Sequence, residues 1–455
     1  MGLRWGPFTA RIPFVHTKFL LPEFLQGLVV GAATGLALVP LLTNFFGLTF
    51  EEAVAMSMLH FFLIASALML FGEPYSPGWI TPALPFTLAF VLSEQFPGAA
   101  DKFQAMTALA IDLAAVLLIL GITGLGAKLN RLVPDVLKGG IILGAALAAF
   151  LKVLDFEDKT NVFSTQTYAA VVALVVSLIL AFSEPLEKLK QRRAWVARLA
   201  SLGLFPGLLL AALVGYMAGE IQYDITWGIL VPPFTSLWEK VSPFYIGWPS
   251  LELYLQCLPL ALITYIIVFG DLVTGEAIVK EAGRDRPDEL VEINHTRSHL
   301  ALSIRNFVMG IIAPFFPTQG PLWTGVQVVI LQRWRQGRNQ GRSLFDGMSS
   351  YYIWGLPLMY FLLPMVTALK PLMDIALMMT LLLTGFACAH VALMRVSTMA
   401  ERGVVLLTAV ALTLFEPWQG VLAGAVFTLL LVDLSGKGKE PSVAPEKNAE
   451  STPQQ

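Results

Sequence analysis

Charge is scarce in this sequence. Only 14% of its 455 residues are Asp, Glu, Lys or Arg, while 56% are hydrophobic. Soluble domains carry roughly 25% charged residues, so these charges cannot cover the surface of a soluble protein of this size. Cysteine is nearly absent. Cys257 and Cys388 both stand in apolar runs and read as small membrane-embedded hydrophobes rather than a disulfide framework. No Gly-X-Y period is present, which excludes a collagen-like chain. Intrinsic disorder is excluded except at the ends, because it requires low hydrophobicity. No His-Glu-x-x-His motif, Asp-rich pair or Cys/His cluster occurs, so no metal, no cofactor and no enzymatic activity are expected. There is no secretory signal pattern: the first apolar run begins near Phe19 and flows into a longer hydrophobic segment.

What is abundant is apolar sequence in pieces of membrane-crossing length. A transmembrane helix needs about 20 mainly apolar residues. Fourteen segments are predicted, near 24–47, 53–71, 80–96, 104–126, 137–154, 165–183, 199–217, 251–277, 299–315, 321–334, 347–367, 372–394, 402–415 and 418–433. If the N-terminus is cytoplasmic, only five of the 30 Lys and Arg residues fall outside: Lys102, Lys152, Lys159, Lys240 and Lys370. That asymmetry is a strong positive-inside signal. The fold class expected is therefore an all-α polytopic membrane protein of the inner (plasma) membrane, with both termini cytoplasmic and the lipid bilayer as its surroundings. The basic clusters at 184–198 and 333–342 set topology, and no nucleic-acid partner is expected. Residues 434–455, rich in Lys, Glu, Pro, Ser and Gln, read as a disordered cytoplasmic tail.

Fourteen spans divide into seven plus seven, and an odd number per half gives the second half the opposite orientation. The expected organisation is a cytoplasmic N-terminus (1–23), a first inverted repeat (24–217), an extracytoplasmic loop (218–250), a second inverted repeat (251–433) and the tail. Inverted-repeat transporters place their site between discontinuous helices, marked by Gly/Pro-interrupted segments at matching positions. Such a pair stands in the third span of each half. Residues 72–86 contain Pro74, Pro77, Pro82 and Pro85, and residues 314–325 contain Pro314, Pro317 and Pro321. Proline inside a continuous helix costs about 3 kcal/mol, so each segment should enter the membrane extended and become a half-helix mid-bilayer. The first N–H groups of a half-helix lack helical partners. Two opposed N-termini would form a partly positive pocket suited to acceptor atoms. A pair of loops clipped to the surface is the alternative.

Ionisable residues within spans are rare and usually functional. Asp271, with Thr274 and Gly275 on its helical face, reads as a group that carries a proton or accepts from a ligand, or as a structural partner of another helix. Glu276 lies nearer the cytoplasmic end and serves coupling or only the interface. Asp112 fits a helix–helix hydrogen bond or proton transfer. His60 and His390 read as core histidines, and Asp374 as an interfacial partner of Lys370. Gly27, Gly31 and Gly35 form a small-residue stripe for close helix packing.

Several stretches resemble the seven-plus-seven inverted-repeat transporters, which include the nucleobase/ascorbate (uracil–xanthine permease) family and, more distantly, the SulP anion transporters. They are Leu25-Gln-Gly-Leu, Ser76 to Phe86, Leu132 to Gly144, Gly270 to Lys280 and Phe316 to Gly325. The resemblance implies a core domain (spans 1–4 and 8–11) and a gate domain (spans 5–7 and 12–14) that supports it and forms a homodimer. It also implies that Thr81, Pro82, Ala83 and Leu84 line the site from the third span, and Trp323, Thr324 and Gly325 from the tenth. The sequence departs from nucleobase permeases at Ile267 and Val326, where they carry acids, and at Gly27, where they carry His. The tail is too short for the soluble domain usual in SulP proteins, and the tenth-span motif holds no cation. The function expected is secondary active transport of a small solute: proton-coupled uptake of a nucleobase-like molecule, with Asp271 and Gln319 as polar partners. The alternative is SulP-like transport or exchange of inorganic or organic anions. The coupling ion is expected to be a proton or sodium, with Asp271 and Glu276 as the candidate groups.

Overall fold

The computed structural model describes residues 2–126, 128, 132–156, 161–200, 202, 205–335, 337, 343–355 and 359–433. The tail 434–455 and the basic residues Arg131, Lys159, Arg338 and Arg342 lie outside the described residues.

Helices account for most of the described chain. The principal ones, in order, are α1 (Leu21–Gly35), α2 (Leu38–Phe45), α3 (Phe50–Met69), α4 (Leu84–Val91), α5 (Ala99–Thr123), α6 (Asp135–Val153), α7 (Thr167–Phe182), α8 (Phe205–Met217), α9 (Leu251–Gly283), α10 (His295–Ile312), α11 (Thr324–Arg335), α12 (Met373–Met394), α13 (Met399–Leu414) and α14 (Pro417–Leu431). Side-chain caps fix several starts. The Thr49 hydroxyl accepts from the Glu52 amide as the Glu52 carboxylate accepts from the Thr49 amide, opening α3. The Ser250 hydroxyl and the Asn294 side-chain oxygen cap α9 and α10 by accepting from the Leu253 and Arg297 amides. Leucines on α8 and α14, among them Leu209, Leu213, Leu429 and Leu430, stay exposed. An apolar face of that extent suits contact with lipid.

Among the described residues, five helices are long and apolar enough to cross a membrane, or six if the bent pair Thr167–Phe182 and Glu184–Lys190 counts as one span. Shorter apolar helices include Thr81–Val91, Phe205–Met217 and Pro417–Leu431. The first expected span is two helices, α1 and α2, broken at Leu36 and Ala37. The eleventh, 347–367, is a correction. It comprises Leu344–Ser349, a π-helical turn Ser350–Gly355, and Leu363–Leu369. That last helix runs through the 3-10 turn Lys370–Leu372 directly into α12, so the expected boundary at 368–371 falls inside one helical run. The fold is also not purely helical. Strands β1 (Leu3–Trp5) and β2 (Phe8–Ala10) form an antiparallel hairpin.

Helix α5 packs against α9 and α10, α6 against α12 and α13, α7 against α8, and α13 against α14. The glycine stripe of α1 does serve close approach: a Cβ at Gly27 would collide with the Tyr351 carbonyl oxygen. Two extended segments strap the ends of the bundle. The Trp5 indole donates to Leu70 O at 2.7 Å, and Arg11 N to Met69 O at 2.7 Å. On residues 226–240, Leu230 N donates to Phe361 O at 2.9 Å, and Lys240 reaches the buried Glu52 at 2.8 Å. A buried ion pair, Arg297 Nε to Glu73 Oε1 at 2.9 Å, joins α10 to the chain leaving α3, and the Ser298 hydroxyl donates to the same carboxylate.

Candidate functional site between two broken segments

The two proline-rich segments meet. Prolines at 74, 77, 314, 317 and 321 keep the backbone extended, and the two stretches pair antiparallel at Gly78 and Gly320. Gly320 N donates to Gly78 O at 2.7 Å, Ile80 N to Pro317 O at 2.8 Å, and Trp323 N to Ser76 O at 2.6 Å. Extended backbone inside a membrane must find partners within the protein, and this pairing supplies them. The pairing is braced by α11 and by the π-helical turn. The Gln327 side chain accepts from Ser76 N, and the Tyr352 hydroxyl donates to Pro77 O at 2.6 Å.

Each extended stretch then turns into a helix. The first enters a 3-10 turn at Thr81–Ala83 and continues as α4, and the second starts α11 at Thr324. Among the described residues, no protein group accepts from the amides of Thr324, Gly325 and Val326. They are the orphan donors of a helix start.

Beside this pairing lies a cavity of about 860 Å³. Its wall on the broken-segment side includes Gly78, Thr81, Pro82, Trp323, Thr324 and Gly325, with Asp271 and Thr274 from α9. Lys138 of α6, Ser177 of α7, Thr380, Thr384 and Cys388 of α12, and Arg395 form the opposite wall. The Asp271 carboxylate has no hydrogen bond among the described residues. Lys138 is held by Asp135 at 3.2 Å, and Arg395 stands 3.9 Å from the same carboxylate. Orphan amides, hydroxyls, two cations and one acid therefore face a largely apolar chamber. This arrangement can hold a small polar or charged solute.

Of the residues singled out in the sequence, Thr81, Pro82, Asp271, Thr274, Trp323, Thr324 and Gly325 gather on this cavity. Ala83 and Leu84 do not; both are fully buried against the bundle, because the short helix turns them away. Gln319 lies behind the wall. Its amide nitrogen donates to His60 O at 3.3 Å, and its oxygen accepts from Arg305 at 3.1 Å. Glu276 is not on the cavity either; it bonds Lys280 at 2.5 Å and His295 at 3.0 Å. His60 is buried among Thr318 and Phe315, with Nε2 unpartnered.

Tyr351, Tyr352 and Gln26 also line the cavity, and nothing in their local sequence marks them. Arg305 carried a signal, since it stands inside the apolar run 299–315. The charge count places it on the cytoplasmic side with the other Lys and Arg residues, but it is 1% exposed within α10 and belongs to no loop.

No protein-family profile matches the sequence, and no curated protein sequence matches it. Solved structures do resemble the fold. The transmembrane domain of a cyanobacterium bicarbonate transporter, BicA, aligns at 15% identity with a TM-score of 0.55, covering 90% of this chain and 99% of that domain. The murine Solute Carrier 26 family member A9 anion transporter, in the inward-facing state, aligns at 13% identity with a TM-score of 0.51, covering 93% of this chain and 69% of the other. A second structure of SLC26A9 aligns at 13% identity and 0.53, covering 91% and 65%. At these identities the likeness concerns the fold: a multi-helix membrane architecture of the kind found in those transporters.

Proposed function

We propose that this protein is a secondary membrane transporter of a small anion, taken up or exchanged at the cavity between the two broken segments. The observation that carries this reading is the set of unpaired amides at the start of α11 opening into that cavity. Helix N-termini favour negative ligands through their free N–H groups and dipole. The fold likeness to a bicarbonate transporter and to an anion transporter points the same way. A small oxyanion such as bicarbonate or sulfate is the substrate class proposed. The nucleobase-like solute ranks below it, because Gln319, its intended hydrogen-bond partner, is engaged by His60 and Arg305 away from the cavity. Asp271 remains the proposed coupling group, for a proton or a sodium ion.

The proposed architecture is fourteen spans in two inverted repeats. Packing relations support it, since they recur seven spans on. Helix α9 packs on α5 as α1 packs on the turn Ser350–Gly355, and α13 on α14 as α7 on α8. The cavity would then lie between a core (spans 1–4 and 8–11) and a gate (spans 5–7 and 12–14), the gate supplying a homodimer contact. Both termini are proposed to be cytoplasmic in the plasma membrane.

A thermal-shift series tests the ligand class, because a ligand that binds only the folded state raises the melting temperature. Bicarbonate, sulfate and chloride are expected to raise it and uracil is not. A shift with uracil that vanishes in Asp271→Asn would restore the nucleobase reading instead.

A further inference from the structure

Arg305 is a permanent cation buried immediately behind the cavity wall. Its side chain is 1% exposed, and among the described residues its hydrogen-bond partners are neutral. Nε donates to Leu63 O at 3.0 Å, Nη2 to Gln319 Oε1 at 3.1 Å, and both terminal nitrogens lie 3.4 Å from Gly320 O. Among the described residues no carboxylate stands within ion-pair distance of it. Glu73, the acid whose charge reaches it, is already bonded to Arg297 and Ser298. Neutral dipoles solvate a buried charge without cancelling it. Gly320, in turn, pairs with Gly78, and Gly78 lines the cavity. One layer of backbone thus separates the guanidinium from the solute.

We propose that Arg305 sets the sign of the ligand, acting through the paired backbone as the fixed positive charge of the site. This rests on the anion reading above and deepens it. The tenth-span motif, Phe316 to Gly325, carries no cation, and the one acid among the described residues lining the cavity, Asp271, opposes an anion. Lys138 and Arg395 belong to the opposite wall and share the carboxylate of Asp135. Arg305 is bonded to the broken segment itself, so it keeps its relation to the α11 amides wherever that segment moves. A unit charge at this remove, at an effective dielectric of about 20, alters anion affinity by a factor on the order of ten.

Two kinds of variant separate charge from scaffolding. Arg305→Lys keeps the charge and loses the fork, whereas Arg305→Gln keeps hydrogen bonding and loses the charge. Gln319→Glu places a carboxylate on the guanidinium and neutralises it with nearly unchanged shape. Bicarbonate, sulfate and chloride are titrated against each purified full-length variant, with melting temperature recorded in parallel. Arg305→Lys is expected to bind within about threefold of wild type, while Arg305→Gln and Gln319→Glu lose about tenfold. Gln319→Glu is expected to do so without a fall in melting temperature, and it decides the matter alone if Arg305→Gln does not fold. Wild-type affinity in Gln319→Glu would overturn the proposal while leaving the anion reading intact. Failure of the wild type to bind any of the three anions would contradict the anion reading itself, and this inference with it.

Discussion

At Gly78 a single methyl group would disturb the site. A Cβ there would lie 2.8 Å from the Trp323 Cβ, closer than side chains pack, at the point where the two broken segments exchange hydrogen bonds. Gly78→Ala is expected to cost about 1–3 kcal/mol, the usual range for overpacking, and to reduce solute binding with it. Denaturant unfolding beside a binding titration checks both. Asp271 gives the opposite pattern. Its carboxylate faces the cavity with no hydrogen-bond partner among the described residues, so Asp271→Asn should leave folding intact and remove ion coupling. Uptake into proteoliposomes with and without an imposed proton or sodium gradient is the check; gradient-driven uptake that survives the substitution would remove Asp271 from that role. The sequence made Asp271 conspicuous because an acid in an apolar run is rare. It could not separate Gln319 from Trp323. Which side of such an extended stretch meets the cavity depends on a pairing partner more than 230 positions away.

The broken elements were legible because proline has only local consequences. Four prolines between 74 and 85 and three between 314 and 321 exclude continuous helices whatever surrounds them. Their antiparallel pairing was not legible, since it is a tertiary relation. The unbroken helices were placed well where a cap residue precedes an apolar run, as Thr49 precedes α3. The eleventh segment failed because the helical run Leu363–Met394 continues through Lys370 and Pro371, which read as a loop; the Lys370 ammonium instead sits 4.5 Å from the centre of the Phe50 ring. The buried pair Glu73–Arg297 acts at this scale, holding α10 to the end of α3. Removing one partner of a buried pair leaves the other charge unpaired, at about 3–5 kcal/mol. Arg297→Met is therefore expected to lower stability by that order, whereas the double variant Arg297→Met with Glu73→Leu should recover much of it. A double-mutant cycle from unfolding curves reads this directly.

The whole molecule joins two walls around one cavity. The paired segments, α9 and the π-helical turn form one; α6, α7 and α12 form the other. Transport on this plan requires the walls to shift relative to each other while the pairing at Gly78 and Gly320 stays closed. The most direct test of the central claim, that an anion sits at the start of α11, is equilibrium binding of bicarbonate and sulfate to the wild type and to Gly325→Leu. A Cβ at Gly325 would have only the Trp323 indole within 4.0 Å, so the leucine stands in open space over the free amides. Replacing a helical glycine there should hold or raise stability. The result expected is anion binding by the wild type, a loss of tenfold or more in Gly325→Leu, and an unchanged or higher melting temperature. Equal anion affinity in the two proteins would contradict it.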